Sequence, residues 1–356
     1  MAEKDPQPID FGRPTRISRL FGGRMTQRFD LRTLIVCLCL FAAAVAIGLL
    51  GLASGEYPVP LGSVLGALIG HESGRVHMVV IEWRLPRTAL ALILGCALGV
   101  SGAIFQSIVR NPLGSPDVIG FGTGAYTGAL VAIAFFGGGR LQMAGGAFLG
   151  GLATAGIVSL LAFSRGGIQG PRLIIIGIGV SAMLTSVNTW MLLRAKLEVA
   201  MTAAVWGAGS LNGATLDTLQ PAGLAVVGLL ICALILARPM RQLEMGDDIA
   251  RASGVNAPAT RLMLTMIAVC LTATATAVAG PIGFVALTAP QLARRLTGAV
   301  GSAIMPAAAM GAMLLVTADD IAQHAFAVGQ LPVGIVTLSL GGVYFVWLLI
   351  REGQRQ

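Results

Sequence analysis

Residues 262–293 read LMLTMIAVCLTATATAVAGPIGFVALTAPQLA, and these 32 positions contain no Asp, Glu, Lys or Arg. A helix needs about 20 apolar residues to cross a bilayer, so this stretch is too long for one span. Gly280-Pro281 interrupts it, because proline lacks the N–H that a helix interior requires and glycine tolerates a turn. The stretch therefore predicts one full helix, a turn, and a second helix from near Ile282 to Arg294.

The composition of the whole chain is far from that of a soluble protein. Of its 356 residues, 55% are hydrophobic and 11% are charged, whereas a soluble domain carries about 25% charged residues. The mean hydropathy is +0.82. These values exclude a soluble globular enzyme, a disordered chain and a disulfide-rich secreted module, and they favour an all-α, polytopic membrane protein.

The basic residues do not indicate a nucleic-acid partner. The net charge is +8, but the Lys and Arg residues form short clusters between apolar runs instead of one face or stripe. That distribution is typical of the loops of a membrane protein. The five cysteines lie within apolar runs, away from histidines, so they predict buried small side chains and no metal site.

Ten stretches predict membrane-spanning helices. Each is free of Asp, Glu, Lys and Arg, as the apolar bilayer core requires. They are 33–55, 88–109, 118–139, 141–164, 173–193, 218–237, the two helices of 262–293, 296–318 and 332–350. A further uncharged stretch, 199–216, is rich in polar and turn-forming residues, so it predicts a partial or surface helix on the outer side.

The positions of the basic residues predict the orientation of these spans. With the N-terminus inside, 18 of the 24 Lys and Arg residues lie in inner segments, as the positive-inside rule requires. A span at 199–216 would reverse every later loop and leave only 10 inside. We therefore predict that both termini are cytoplasmic, with a basic tail at 1–32, a single transmembrane domain at 33–350 and a short tail at 351–356.

The sequence contains no energy source for transport. Ion-coupled carriers usually place charged residues in mid-span, whereas here Asp319 and Asp320 fall at a span end. Neither Lys4 nor Lys196 belongs to the phosphate-binding pattern GxxxxGK[ST]. ATP hydrolysis that drives this protein would therefore belong to a partner.

The longest inner loop, 238–261, has the features of a docking element. Asp247 or Asp248 can cap a short helix, and Gly254 suits the position just after its end. Asn256 can cap a second helix. Two short helices would form a rigid knob that fits a cleft on a soluble subunit, although an ordinary capped surface turn uses the same residues.

Two arginines precede the second span, in the stretch Trp83-Arg84-Leu85-Pro86-Arg87. Pro86 restricts the local backbone and so the geometry of both guanidinium groups. Arginine forks bind carboxylates well, which suits an acidic partner or an anionic substrate on the outer side. Snorkelling of both side chains at the membrane interface explains the same pattern.

Long stretches of the sequence resemble one known family. In order they are 82–87 (EWRLPR), 99–107 (GVSGAIFQS), 110–118 (RNPLGSPDV), 172–179 (RLIIIGIG), 208–213 (AGSLNG), 243–248 (LEMGDD), 280–282 (GPI) and 330–334 (QLPVG). On these motifs the chain resembles the ten-span, FecCD-type permeases of ABC importers for iron–siderophores, haem and vitamin B12, over about residues 78–350. Within that family it is most similar to the ferric-enterobactin branch.

The resemblance implies a fold and a set of partners. Spans 2–5 and 7–10 would form an inverted repeat, and a second, homologous permease would complete the pathway. Two ATPase subunits would bind the 245–258 regions of the two permeases, and a substrate-binding protein would dock outside. The chain would hold no cofactor, because ATP and Mg²⁺ belong to the ATPases and iron passes only as its siderophore chelate. The protein would lie in the bacterial plasma (inner) membrane.

The resemblance also implies roles for individual residues. Arg84 and Arg87 match the arginines that receive acidic residues of the binding protein. In 238–261, which we call the coupling loop, the residues assigned to ATPase coupling are Met245, Gly246, Asp247, Asp248, Ala250, Gly254 and Val255. The weakly polar residues expected to line the pathway are Thr123, Ser181, Thr185 and Asn188.

Some positions depart from the family pattern. Gln291 stands where many relatives have His, and Gln323 and His324 stand where many have Arg. The missing outer arginine fits a heterodimer in which the partner permease makes the stronger contact with the binding protein. We therefore expect a ferric-siderophore permease, with a haem or vitamin B12 permease and an ion-coupled secondary transporter as the alternatives.

Overall fold

The computed structural model describes residues 15–20, 25–55, 57–117, 120–164, 167–168, 170–299, 301, 303–324 and 330–353. Helices form nearly all of this part of the chain, as the sequence predicts. Residues 1–14 of the predicted basic tail and 354–356 of the predicted C-terminal tail lie outside the described residues.

Fifteen helices follow one another along the described chain. They are α1 (Leu31–Ala53), α2 (Leu61–Leu68), α3 (Arg75–His77), α4 (Leu85–Val109), α5 (Phe121–Phe136), α6 (Arg140–Ala162), α7 (Gly170–Arg194), α8 (Leu197–Gly207), α9 (Leu216–Ile235), α10 (Ala237–Glu244), α11 (Asp247–Ala252), α12 (Ala257–Ala279), α13 (Val285–Thr297), α14 (Ile304–His324) and α15 (Val333–Gly353). A π-helical segment, Met78–Arg84, joins α3 to α4 without a break.

Each of the ten predicted spans overlaps one of these helices. Among the described residues, seven continuous helices are long and apolar enough to cross a membrane, namely α1, α3 with α4, α6, α7, α9, α12 and α14. Helices α5 and α13 have 16 and 13 residues and are shorter than a full span. Helix α8, with 11 residues, is the partial helix predicted in 199–216. The count of ten and the side of each terminus remain predictions.

The predicted break after α12 is confirmed. Helix α12 begins where the Asn256 side chain accepts a hydrogen bond from the Ala259 N–H at 3.2 Å. It ends at Gly280, whose φ of 72° lies in the left-handed region that glycine adopts freely. Phe284 also has a positive φ of 66°, so α13 begins at Val285, slightly later than predicted.

The predicted boundaries of the ninth span, 296–318, were wrong. Gly298 ends α13 with a φ of 64°, and Gly301 turns the chain with a φ of 92°. Helix α14 therefore begins only at Ile304 and continues to His324. An absence of charge does not distinguish a glycine-rich turn from a helix, and the shift places Asp319 inside the last turns of α14 instead of after them.

Helix α4 packs very closely against α14 through small residues. A Cβ atom added to Gly95 would overlap the carbonyl oxygen of Gly311, and one added to Gly99 would overlap that of Ala307. Small residues at this spacing allow the two backbones to touch, which is how membrane helices associate when burial from water cannot drive them together. Helix α4 is consequently the most buried long helix of the bundle.

The two halves of the bundle exchange partners. Helices α4 and α12, the first helices of the two expected repeats, cross where the Ser101 Oγ donates to the Ala268 carbonyl oxygen at 2.7 Å. Helix α4 packs on α13 and α14, while α12 packs on α5 and α6. Each leading helix thus contacts the second and third helices of the other expected half.

Two short hairpins accompany the helices. Strands β1 (Thr15–Leu20) and β2 (Met25–Asp30) pair antiparallel, as do β3 (Phe163–Ser164) and β4 (Gly167–Ile168). Part of the predicted basic tail is therefore a hairpin that leads directly into α1. The Asp30 carboxylate caps that helix by accepting the Arg32 N–H at 3.0 Å.

Candidate functional site

The coupling loop contains two short helices, but they are not both the ones predicted. Helix α11 starts at Asp247 after Gly246, which has a φ of 126°, and Gly254 follows its end with a φ of 82°. The helix capped by Asn256 is α12 itself, a long helix and not a short one. The second short helix is α10, which precedes α11. A stretch without charged residues predicts a span, and α10 contains two arginines and a glutamate, so that pattern does not predict it.

Two large apolar side chains project from the loop. Met245 is 60% exposed and Ile249 is 50% exposed. Exposed apolar pairs in an otherwise polar segment mark interaction surfaces. The sequence prediction included Met245 and missed Ile249, although an Ile in the polar run Asp-Asp-Ile-Ala-Arg was a usable signal.

The other predicted coupling residues take different positions. Asp248 and Gly254 are exposed beside this apolar pair, and Val255 is half-buried. Ala250 is fully buried and packs with Met240 and Leu243 into the core of the bundle. Its methyl group therefore packs beneath α11 and is not exposed to a partner protein.

Asp247 turns towards the bundle and joins two arginines. Its Oδ1 accepts a hydrogen bond from the Arg110 Nη2 at 2.7 Å and from the Arg261 Nη2 at 2.8 Å. The Arg110 Nη2 also donates to the Leu243 carbonyl oxygen at 2.7 Å. Burial alone would raise the pKa of Asp247, but the charges and hydrogen bonds of Arg261 and Arg110 outweigh burial and hold that pKa below its ordinary value. We call Arg110, Asp247 and Arg261 the inner clamp.

Arg84, next to the N-terminal end of α4, binds main-chain oxygens of its own chain. Its Nη1 donates to the Leu52 carbonyl oxygen at 2.9 Å and its Nη2 to that of Tyr57 at 2.8 Å. The continuous π-helical segment before α4 directs the side chain back towards the end of α1. Arg84 thereby fixes the chain that follows α1 against the start of α4.

Arg87 is engaged even more fully. Its Nε and Nη2 grip the Asp319 carboxylate at 2.9–3.1 Å, and its Nη1 donates to the Gln330 Oε1 at 2.7 Å. Only 12% of the Arg87 side chain and 3% of the Asp319 side chain are exposed. An acidic residue of a partner would have to compete with Asp319 for this guanidinium, so the predicted docking role of Arg87 remains a prediction. We call Arg87 and Asp319 the outer pair.

A cavity of about 290 Å³ lies beside the outer pair. Glu82, Trp83, Arg87, Asn212 and Gln330 form much of its lining. It combines one acidic, one basic and two amide side chains at the N-terminal end of α4. A polar side chain of a docking protein would find donors and acceptors there without breaking the outer pair.

The predicted pathway residues do not share one exposed face. Ser181, Thr185 and Asn188 follow one stripe of α7, but Asn188 is buried while Thr185 is exposed. Within the described residues, the Ser181 Oγ and the Asn188 Oδ1 have no hydrogen-bond partner. Thr123, on α5, is partly buried. Of the four, Thr185 is the one placed on the surface of the single chain.

The comparison with known proteins gives the family. Residues 29–351 match the FecCD transport family. The chain belongs to the FecCD transport family. It is 53% identical over 325 residues to the ferric enterobactin transport system permease protein FepG of Escherichia coli K12, an alignment that covers 91% of this chain and 98% of that protein.

Other relatives transport different iron compounds. The chain is 36% identical to the Fe(3+) dicitrate transport system permease protein FecD of Escherichia coli K12, over 87% of this chain and 96% of FecD. It is 35% identical to the hemin transport system permease protein HmuU of Yersinia pestis, over 77% of this chain and 83% of HmuU. A chain solved in an inward-facing conformation of a metal-chelate type ABC transporter superposes with a TM-score of 0.78 and 26% identity, over 89% of this chain and 99% of that one. The fold is therefore that of an ABC transporter permease, a non-enzymatic, multi-pass membrane subunit.

Proposed function

We propose that this chain is the permease subunit of an ATP-driven importer for a ferric siderophore of the enterobactin type. The observation that carries the proposal is the 53% identity with FepG over 98% of that protein. The relatives for dicitrate and hemin are 36% and 35% identical. Identity that is higher by this margin over the whole chain favours the enterobactin type over the other cargoes.

The proposed complex contains this chain, a second and different permease, two ATPase subunits and a substrate-binding protein. The ATPases bind ATP and Mg²⁺, and this chain holds no cofactor of its own. Met245 and Ile249 support the position of the ATPase contact, because their exposed apolar surface would be buried in a cleft of a soluble subunit. In the proposed ten-span topology, that contact and both termini lie on the cytoplasmic side of the bacterial inner membrane.

The proposed pathway lies between the two permeases. A bulky anionic chelate would pass along weakly polar walls that include Thr185 on the exposed side of α7. Thr123, Ser181 and Asn188 would reach the pathway only if α7 moves relative to α5, since they are partly or fully buried in this conformation. Walls with few charges offer no deep binding well, so the cargo can leave after it enters.

The outer end of the proposed permease receives the binding protein. Arg84 and Arg87 lie at the start of α4, and Arg87 lines the polar cavity together with Glu82, Asn212 and Gln330. We propose that acidic residues of the binding protein approach this arginine-bearing rim. Because both guanidiniums already have partners in the chain, replacing Arg84 and Arg87 by Glu would disturb the permease itself as well as docking.

The cargo is tested by uptake of radioactive iron. A bacterial strain that lacks its own permease is given this chain with its partners, and a catecholate and a hydroxamate chelate are compared. We expect uptake of the catecholate alone. Uptake of the hydroxamate in place of the catecholate would overturn the enterobactin assignment. Uptake of labelled haem or of cobalt-labelled vitamin B12, measured in parallel, in place of both chelates would support the other branch of the family.

The energy source and the subunits are tested on the purified complex. We expect two different permease chains and two ATPase chains, and uptake into proteoliposomes that stops without ATP. A single kind of permease chain would overturn the heterodimer. Accumulation of the chelate by this chain alone, without ATP, would overturn the importer mechanism and support an ion-coupled carrier.

A further inference from the structure

We propose that Asp247 is a positioning residue that ties the coupling loop to the leading helix of each half of the permease. The inference rests on the proposed function, because it concerns how ATPase movement reaches the spans. The family resemblance of the sequence assigned Asp247 to ATPase coupling. Its contacts in the structure give it a different partner.

The geometry of the inner clamp connects three parts of the fold at one oxygen atom. Arg110 directly follows α4, and Arg261 lies in the first turns of α12. Both guanidiniums reach the same Asp247 Oδ1, at 2.7 and 2.8 Å. Asp247 is the first residue of α11, so a displacement of the knob pulls on the inner ends of α4 and α12 together.

The backbone around the clamp is shaped to hold it. Arg110 has a φ of 53°, in the left-handed region that a residue with a side chain adopts only at a cost. In that conformation its side chain reaches back to the Leu243 carbonyl oxygen at the end of α10 as well as to Asp247. One arginine therefore contacts both short helices of the coupling loop, and α10 and α11 are linked to α4 as a unit.

The negative charge of Asp247 is what keeps the two arginines together. Two guanidiniums that approach one atom repel each other, and the shared carboxylate converts this repulsion into attraction. Replacing the carboxylate by an amide of the same shape keeps the volume and removes the charge. The coupling loop would then lose its charged contact with Arg261 and Arg110, while the Arg110–Leu243 hydrogen bond, the buried Ala250 and the outer surface with Met245 and Ile249 remain.

The proposal separates holding the ATPase from transmitting its movement. Met245, Asp248 and Ile249 face outward and would hold the ATPase. Asp247 faces inward and would transmit the movement of the ATPase to α4 and α12. Loss of the clamp should therefore leave the ATPase bound and active, but less of the ATP that it hydrolyses would result in import of the chelate.

The test is the number of ATP molecules hydrolysed for each chelate imported. The complete complex is reconstituted in proteoliposomes with its binding protein, as wild type and as Asp247→Asn. We expect the ATP cost per chelate to rise about fivefold, within the range of coupling changes seen for side chains between two linked sites. The amount of ATPase that co-purifies should stay at the wild-type level.

The matched control is Asp217→Asn. Asp217 is an exposed acidic residue in the first turn of α9, so it resembles Asp247 in charge and in its position near a helix N-terminus. It has no contact with the coupling loop among the described residues. We expect its ATP cost per chelate to equal that of the wild type, and Asp247→Glu, which keeps the charge, to recover most of the coupling.

Arg110→Gln gives an independent measurement should Asp247→Asn fail to assemble. The Arg110 side chain is 45% exposed, so its loss disturbs the fold less, and we expect the same rise in ATP cost. Wild-type cost in both variants would overturn the inference, and so would loss of the bound ATPase in Asp247→Asn, since this would make Asp247 a docking residue. A wild-type complex without ATP-dependent uptake would instead overturn the proposed function.

Discussion

Helix α4 has an arginine–aspartate contact near each end, and the two contacts differ in their surroundings. In the outer pair, the side chains of Arg87 and Asp319 are 12% and 3% exposed. In the inner clamp, those of Arg110 and Asp247 are 45% and 29% exposed, whereas that of Arg261 is 11% exposed. The Arg87–Asp319 contact therefore lies in the protein interior, and the Arg110–Asp247 contact meets water.

The difference in burial indicates which of the two contacts can change its geometry without a large cost in free energy. A buried ion pair has already lost its water, so breaking it leaves a charge without compensation. An exposed pair exchanges its partner for water at little cost. The outer pair therefore fastens α4 to α14 in the protein interior, whereas the inner clamp, whose Arg110 side chain meets water, can change its geometry without leaving a buried charge while it still joins the coupling loop to α4 and α12.

The largest expected effect is on the outer pair. Asp319→Ala should lower the free energy of unfolding by about 3–5 kcal/mol, because it leaves the Arg87 guanidinium buried without its carboxylate. The measurement is unfolding of the purified permease in detergent. Asp320→Ala is the matched control, since Asp320 is the next residue and its contact with His324 is exposed. Equal stability of the two variants would show that the outer pair is not structural.

The next effect is on binding of the ATPase and leaves the fold unchanged. Met245→Ser and Ile249→Ser should each weaken the association of the ATPase about tenfold, because each removes part of an apolar surface that docking would bury. Titration of the purified permease with the ATPase measures this. Ser253→Ala, also exposed in the loop, is the control with wild-type binding. Unchanged affinity in both serine variants would place the ATPase contact elsewhere.

The helices and their breaks could largely be predicted because their causes are local. Gly280-Pro281 ends α12 through its own covalent structure, and Asn256 caps that helix through a side chain three residues from its donor. The length of 199–216 and its polar residues were enough to predict a partial helix. The start of α14 was not predictable in this way, since Gly298 and Gly301 are as free of charge as the helix that follows.

The partners of charged side chains were not predictable from spacing. Arg87 and Asp319 lie 232 positions apart, and Arg110 and Asp247 lie 137 apart. A single sequence shows that these residues are charged and near span ends, but the fold decides which of them meet. The motif around Arg87 suggested a docking residue, and the motif around Asp247 suggested a residue that couples to the ATPase. In the structure, both side chains bind charged residues of their own chain.

A smaller effect is expected on the stability of the inner clamp. Arg110→Gln should change the free energy of unfolding by about 1 kcal/mol or less, because the side chains of Arg110 and Asp247 are both partly exposed to water. The measurement is the same detergent unfolding that is used for Asp319→Ala. A loss as large as that of the Asp319 variant would mean that the clamp is a fixed part of the fold, and the contrast between the two ends of α4 would disappear.

The smallest effect is the pH dependence of the inner clamp. Arg261 and Arg110 hold the pKa of Asp247 below its ordinary value, despite burial. A carboxyl group with a lowered pKa contributes stability above its unfolded pKa of about 3.9, and the contribution is lost as the pH falls through the folded pKa. The difference in unfolding free energy between the wild type and Asp247→Asn should therefore stay constant from about pH 7 to pH 5 and shrink only below about pH 4. Groups common to both proteins cancel in this difference. If the difference in unfolding free energy already shrinks between about pH 7 and about pH 5, burial raises the pKa of Asp247 by more than the two arginines lower it. Asp247 would then carry too little negative charge to join α4 to α12.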